Sequence, residues 1–412
     1  MIIPASLALR APGLCGRLVR YFNDSSIYSQ PQLALASALS MLAVLKAHRV
    51  RSESNLRTNI LCVGLAQSGS GKGHGHKAVS RLLSLINHDY LIAGKPASDM
   101  GLLKALSKSG RALVQWDEFG LALKHMTSPK APAYKAGILS VLMDTFSAAD
   151  GLYIGQEYSN ADNKRPRIDI PEPCLSLYAI STPVRFYEAF NSDFVLDGFL
   201  PRLFIFEGSE EVGKVSYSRY GSGDDVDCSL LVDELRDSFP AFALSSLPTK
   251  KPITTLAFST SAIVTFSVVV DQYETLKLSA ASESIRAIYS RAIEHYIKLC
   301  LVVEEPHSTI ISRDTAVFCA DLLECLVNTS LDAARQNIFD SQVERDNNRL
   351  TEIVRKAKVI SRRDLTRATR YLKPFERKQI IETLIDADII ESFFDTTGTD
   401  RKKHTQFYRI KP

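Results

Sequence analysis

A glycine-rich turn that ends in a lysine is suited to holding phosphate, and "LCVGLAQSGSGKGHGHKAV" (61–79) contains one. Ser68-Gly69-Ser70-Gly71-Lys72 puts two glycines where the backbone must turn its N–H groups inward. Its lysine stands where an ammonium reaches the β- and γ-phosphates of a nucleotide. The usual pattern, G-x-x-x-x-G-K-[ST], begins on glycine and ends on a hydroxyl; here those positions hold Ala66 and Gly73. Alanine costs little at a position that mainly needs a small residue. Gly73 costs more, because the missing hydroxyl is the usual protein ligand of Mg²⁺, and metal binding must then rest elsewhere. The flanks supply the context that separates such a loop from a glycine turn that binds nothing. "NILCVGLA" (59–66) reads as a short buried strand, and "HKAVSRLLSLI" (76–86) repeats apolar residues at helical spacing.

A second pair of residues fits the same chemistry. "RALVQWDEFGLAL" (111–123) is an apolar strand that ends in Asp117-Glu118, the form of a Walker B element. The first carboxylate of such a pair holds Mg²⁺ through its water shell, and the second orients and polarises the attacking water. Acidic pairs are common on surfaces, but one that ends an apolar strand downstream of a phosphate loop has a use. Ser68, Gly69, Ser70, Gly71, Lys72, Gly73 and Asp117 therefore predict an ATP site that works with Mg²⁺, and Glu118 predicts hydrolysis.

These residues need a frame, and composition sets its class. At 412 residues, 45% hydrophobic and 23% charged, the chain is long enough for two to four domains. Its seven cysteines are odd in number, scattered and free of C-x-x-C pairs, which indicates neither a disulfide framework nor a zinc site and points to a reducing compartment, the cytoplasm. "LALASALSMLAVL" (33–45) is too short to span a bilayer, so no membrane partner is expected. The net charge of +4 is uneven: residues 341–412 hold 17 Lys/Arg against 11 Asp/Glu, and residues 1–340 hold 33 against 35. A basic terminal module on a near-neutral core predicts a polyanion partner, most simply nucleic acid.

Along the chain, residues 1–58 read as a helical segment, with 30–49 its clearest helix. From 59 to 207 strand-like runs (60–66, 112–117, 174–181, 202–207) alternate with helical ones (77–87, 102–108, 136–147), the sign of a parallel sheet covered by helices. Residues 208–256 are rich in Gly, Ser, Asp and Pro and read as a linker or insertion. Residues 257–340 read as helical, with long amphipathic stretches at 282–305 and 313–334.

The last 72 residues, 341–412, carry three helical runs, the second opening on a capping Ser361 with Asp364 at the box position. A strand, a Gly-containing turn and a strand follow, which completes a winged-helix plan. Such modules also dock proteins. The basic residues Arg362, Arg363, Arg367, Arg370, Lys373, Arg377 and Lys378, with Arg401, Lys402 and Lys403 in the wing, favour DNA.

Over about 59–305 the order of features resembles the AAA+ ATPases, specifically the helicase-like ATPases of phages and mobile genetic elements that are distantly similar to the MCM replicative helicases. "CLSLYAISTP" (174–183) looks like the sensor-1 strand, with Thr182 where asparagine is more usual. "DGFLPRLFIFEG" (197–208) resembles the arginine-finger segment and nominates Arg202 to reach into a neighbouring subunit. "SRAIEHYIKLCLVV" (290–303) resembles the sensor-2 helix and nominates Arg291. Between the acidic pair and sensor 1, "GLYIGQEYSNADNKRPRIDIPEP" (151–173) matches in position a pre-sensor hairpin that grips DNA in the ring channel, with Lys164, Arg165 and Arg167 near its tip. On residue content alone a solvated surface hairpin fits equally well. The resemblance implies an AAA+ core at 59–207, a linker and helical lid at 208–340 and a winged helix at 341–412. It also implies a hexameric homo-oligomer, single-stranded DNA in the channel and duplex or origin DNA at the winged helix. Two functions follow from it: a ring-shaped DNA helicase or translocase, and an ATP-switched initiator or loader.

Overall fold

The structure is a computed structural model of the chain. It describes residues 3–128, 130–157, 167–189, 198–209, 226–240, 253–337, 342–394 and 406–411. Two compact units divide at 336/337.

The first unit opens with helices α1 (Ala5–Leu9), α2 (Gly13–Asp24) and α3 (Pro31–Lys46). All 16 residues of α3 are buried, as its all-round apolar sequence "PQLALASALSMLAVLK" requires. Its polar members are satisfied locally: Ser37 and Ser40 donate to the Leu33 and Ala36 carbonyls, and Lys46 donates to those of Leu301 and Glu304. Burial draws the Lys46 ammonium down to about 8. Strand β1 (Val50–Ser52) follows, then β2 (Leu61–Leu65), α4 (His74–Leu85), β3 (Ile92–Ala93), α5 (Asp99–Ser107), β4 (Arg111–Trp116), α6 (Phe119–Met126) and α7 (Ala133–Ser147). Next come β5 (Leu152–Tyr153), β6 (Ile170–Pro171), β7 (Cys174–Ser181), α8 (Pro183–Tyr187) and β8 (Leu203–Glu207).

The five core strands form one parallel sheet in the order β3-β4-β7-β2-β8. Every residue of β2 and β7 is buried, the signature of a parallel sheet covered on both faces. Helix α3 lies against β2, β4, β7 and β8, while α5 packs on β4 and both α6 and α7 pack on β7. The expected parallel sheet flanked by helices is thus borne out. The short edge strand β3 had no sequence signal, because two residues show no period.

Helix α9 (Ser229–Ser238) lies within the stretch expected to be a linker, and strand β9 (Thr254–Phe258) crosses its end into the stretch expected to be helical. β9 is the middle strand of a small parallel sheet, between β1 and β10 (Ile310–Ile311). Its partners are far away in sequence, so no local pattern announces it. Helices α10 (Ala262–Leu278), α11 (Glu283–Val303) and α12 (Arg313–Asn337) complete the unit. A stack of Phe258, Phe266 and Tyr296 joins β9, α10 and α11, with ring centroids 4.7–6.1 Å apart.

The second unit comprises α13 (Gln342–Ala357), β11 (Val359–Ser361), α14 (Arg362–Ala368), α15 (Pro374–Asp386), β12 (Ile390–Phe394) and β13 (Gln406–Ile410). Its antiparallel sheet runs β11-β13-β12. The core is formed by Leu350, Val354, Leu365, Leu372, Ile380, Leu384, Ile390 and Tyr408. Ser361 caps α14 as its sequence predicts, its hydroxyl accepting from the Asp364 N–H at 3.1 Å. Among the described residues no helix is long and apolar enough to cross a membrane, and the cysteines are free.

Candidate functional site

The glycine loop leaves β2 at its carboxyl end. Ala66 N–H donates to the Ser181 carbonyl at 3.1 Å, and α4 starts at His74 with Gly73 as its cap. Gly69 and Gly71 have φ of +82° and +79°, the left-handed region that favours glycine. A Cβ on Gly69 or Gly73 would meet nothing within 4 Å, so the loop is open on those sides. On the Gly71 side the Tyr28 ring closes in, 3.2 Å from where a Cβ would stand. Ser70 is buried and its hydroxyl holds the Gln67 carbonyl at 2.7 Å, while Ser68 is exposed and Lys72 half-buried.

The acidic pair leaves the same edge. Register aligns Leu65 with Ser181 and Trp116 with Ala179, so β4, β7 and β2 are adjacent. They release Asp117-Glu118, Thr182 and the glycine loop side by side. Asp117 and Glu118 are both exposed. Glu118 is left-handed (φ 52°, ψ 40°), and its N–H donates to the Asp117 carboxylate at 2.7 Å. The surrounding structure holds this turn in place: Phe119 is buried, and Gly120 N–H donates to the Ser181 hydroxyl at 3.2 Å. A Cβ on Gly120 would stand 2.6 Å from the backbone of Arg185 and Phe186. Thr182, half-buried, caps α8.

Two residues absent from the sequence-based site tie these parts together. His76, in the first turn of α4, has Nε2 2.9 Å from the Tyr178 carbonyl in β7, so Nε2 carries the proton and donates. Burial pulls its pKa down, which keeps the ring neutral. Gln115 of β4 donates to the His76 carbonyl at 3.1 Å and accepts from the Ser80 hydroxyl at 2.9 Å. The polar Gln115 in the apolar run "RALVQW" was the one signal in the sequence.

Arg202 and Arg291 lie elsewhere. Arg202 precedes β8, whose first residue pairs with Leu61, the first of β2, so it stands at the amino-terminal edge of the sheet. Its Nη1 donates to the Gly198 carbonyl at 2.6 Å and Nη2 to the Ser147 hydroxyl at 3.2 Å. Its Nε is buried with no acceptor among the described residues. Burial, with the Arg291 charge beside it, pulls the Arg202 pKa down. Arg291 donates to Glu294 at 2.6 Å. Lys298 donates to the Asn59 side chain at 2.7 Å and lies 3.9 Å above the Phe146 ring. His295, buried against Phe204, is drawn down to about 3 by burial, which Glu294 opposes and Lys298, Arg291 and Arg202 reinforce. An open groove of about 450 Å³ adjoins Ser147, lined also by Asp144, Leu152 and Ile154.

The structure therefore brings Lys72, Asp117, Glu118 and Thr182 to one edge and places Arg202 and Arg291 together at the other. β5 and β6 form the base of the expected hairpin. Lys164 and Arg165 lie outside the described residues. Arg167, near the expected hairpin tip, pairs with Asp169 at 2.7 Å and with Glu157.

In the second unit Arg362, Arg363, Arg367, Arg370, Lys373 and Lys378 are exposed. The Arg377 guanidinium donates to the Thr369 hydroxyl and carbonyl (2.8 and 3.0 Å) and to the Leu372 carbonyl (3.0 Å), so it braces the turn. Arg401, Lys402 and Lys403 lie outside the described residues. No protein-family model and no curated protein matches the chain.

Proposed function

We propose that this chain is an ATP-hydrolysing AAA+ motor, a ring-forming DNA helicase or translocase that acts in replication of a phage, plasmid or mobile element. One observation carries the reading: the glycine loop, Asp117-Glu118 and Thr182 share one edge of the sheet, and Arg202 and Arg291 share the opposite edge. Five strand residues at about 3.3 Å each separate the two edges by roughly 16 Å. A cation at the far edge of its own sheet serves catalysis only by meeting the glycine loop of another copy, and a closed ring lets every copy both give and receive.

Within a site, Lys72 and backbone N–H groups of the glycine loop take the phosphates, and no atom within 4 Å of a Cβ position on Gly69 or Gly73 obstructs such a group there. Mg²⁺, when bound with the nucleotide, neutralises phosphate charge; Asp117 is the carboxylate that would hold it, since Gly73 supplies no hydroxyl. Glu118 and Thr182 orient the attacking water, and the partner's arginines face the charge that develops on the phosphoryl group. The second unit is a winged helix that handles nucleic acid, and the resemblance makes the ring a hexamer.

The glycine at position 73 supports a second reading, an ATP-switched initiator or loader that binds an origin without processive unwinding. ATPase activity with and without single-stranded DNA, particle mass, and strand displacement on a forked substrate test both. A motor gives DNA-stimulated turnover, a ring mass and displaced strand. A switch gives the ring and slow turnover with no displacement, and neither turnover nor ATP binding would overturn both readings.

A further inference from the structure

The second unit divides its charge between its two short helices in the reverse of the order a duplex reader needs. From Arg362 to Lys373 stand five basic residues (Arg362, Arg363, Arg367, Arg370, Lys373) against one acidic, Asp364, which lies 3.7 Å from Arg367, while Lys373 lies 3.7 Å from Glu376; both pairs are exposed and open to exchange for phosphate. Helix α15, which follows the turn and would enter a major groove, has Glu376, Glu382 and Asp386 against Arg377 and Lys378. Arg377 is turned inward on the Thr369 and Leu372 carbonyls, and Lys378 sits 3.7 Å from Glu382. The outward face of α15 is thus net negative, and a groove walled by phosphates repels it.

Two aromatic rings stand at the junction of the helices. Tyr371 is 42% exposed and Phe375 75% exposed, and the Arg349 guanidinium lies 4.1 Å above the Tyr371 ring centre. The turn that presents them is hydrogen-bonded on both sides. Arg377 braces its inner side, and Lys373 N–H donates to the Glu376 carboxylate at 3.0 Å. By contrast, the sheet aromatics Phe393 and Phe407 already stack on each other at 5.9 Å.

We propose that this turn binds single-stranded nucleic acid, with Phe375 and Tyr371 stacking unpaired bases while Arg367, Arg370 and Lys373 hold the adjoining phosphates. Bases within a duplex keep their faces covered by their neighbours; only an unpaired strand offers them to an aromatic ring. The basic run before the turn supplies the sequence-independent attraction that stacking alone lacks. The proposal rests on the reading of this unit as a nucleic-acid module and changes its partner from duplex to single strand.

The test uses the full-length protein, a fluorescein-labelled oligo-dT of about twenty nucleotides, enough to span one stacking platform and its flanks, and a blunt duplex of the same length. A matching oligonucleotide carrying 5-iodouracil reports which residues touch a base. On irradiation the cross-linked peptide should contain 371–375, and unlabelled single strand should compete for it better than duplex. Phe375→Ala should weaken oligo-dT binding by about 5- to 100-fold, and Phe375→Trp should retain it. Phe375 is exposed, so neither change should alter the circular dichroism. Equal competition by duplex, or affinity reduced for duplex alone, overturns the single-strand assignment and leaves the nucleic-acid reading standing. No cross-link anywhere in 337–412, with both affinities unmoved by Phe375→Ala and by ending the chain at 336, removes both. A change in particle mass without a change in affinity makes the aromatic turn a contact between copies and overturns the proposal.

Discussion

Lys72 and Glu118 stand at one edge of the sheet, and in the proposed ATPase they act on different parts of the reaction, so their removal should fail differently. Lys72→Ala removes a phosphate ligand and should abolish nucleotide binding, whereas Glu118→Gln should retain binding and lose turnover by about 10²–10⁴-fold. Isothermal titration beside a phosphate-release assay separates the two; native turnover in both would end the ATPase reading. His295 makes a prediction of another kind. Its folded pKa is drawn down to about 3 by burial, below the ordinary 6.5, so its contribution to stability is complete above pH 6.5 and is lost as pH falls towards 3. Replacing it with glutamine should flatten the fall of stability below about pH 6.5 by about one proton, ~1.4 kcal/mol per pH unit. Urea titrations across that range measure the slope, and parallel curves would mean that His295 titrates as it does in the unfolded chain.

The pairing of elements decides which subunit a residue serves. Arg202 at the start of β8 and Arg291 on α11 share the amino-terminal edge, so both should act in trans. Arg202→Ala and Arg291→Ala should each be inactive alone, and each should regain turnover when mixed with Lys72→Ala. Mixed with each other they should stay inactive, because no interface then has both cations. A dead mixture of Arg291→Ala with Lys72→Ala, despite proven co-assembly, would put Arg291 in its own subunit's site. The turn after β4 is tied to α8 just as closely. Gly120→Ala pushes a methyl to 2.6 Å from the Arg185–Phe186 backbone and should cost about 1–3 kcal/mol in denaturant titrations. It should also lower turnover, since the same turn carries Glu118.

At the scale of the molecule the two units should separate cleanly. Every candidate catalytic residue lies in the first, so a chain ending at 336 should keep ATP hydrolysis while its nucleic-acid affinity falls and its salt dependence flattens. The slope should drop by about 0.7–0.9 for each phosphate that the second unit no longer neutralises. Unchanged affinity would make the second unit a protein-docking module. The amino terminus should behave in the opposite way. Helix α3 lies across four strands with all 16 residues buried, so a chain starting at 48 should not fold, as circular dichroism and solubility would report.

Local pattern alone determined much of this protein. Apolar runs at strand and helix spacing gave the parallel sheet and its helices, turn chemistry gave the glycine loop and the Ser361 cap, and the charge count isolated the basic end. These features are legible because each depends on neighbours within a few residues. What the sequence left open depends on packing between distant segments. The seating of α3 across four strands, the pairing of β9 with β1 and β10, and the brace of His76 and Gln115 between α4 and the sheet all join segments far apart in the chain. Resemblance alone nominates Arg202 for a neighbouring subunit, and only the direction of β8 sets it, beside Arg291, at the edge opposite the glycine loop. The carbonyl partners of Arg377 and the carboxylate partners of Arg167 likewise exist only in the packed chain. A residue type carries its chemistry in the sequence, but what that chemistry meets is decided by distance, and distance exists only once the chain has packed.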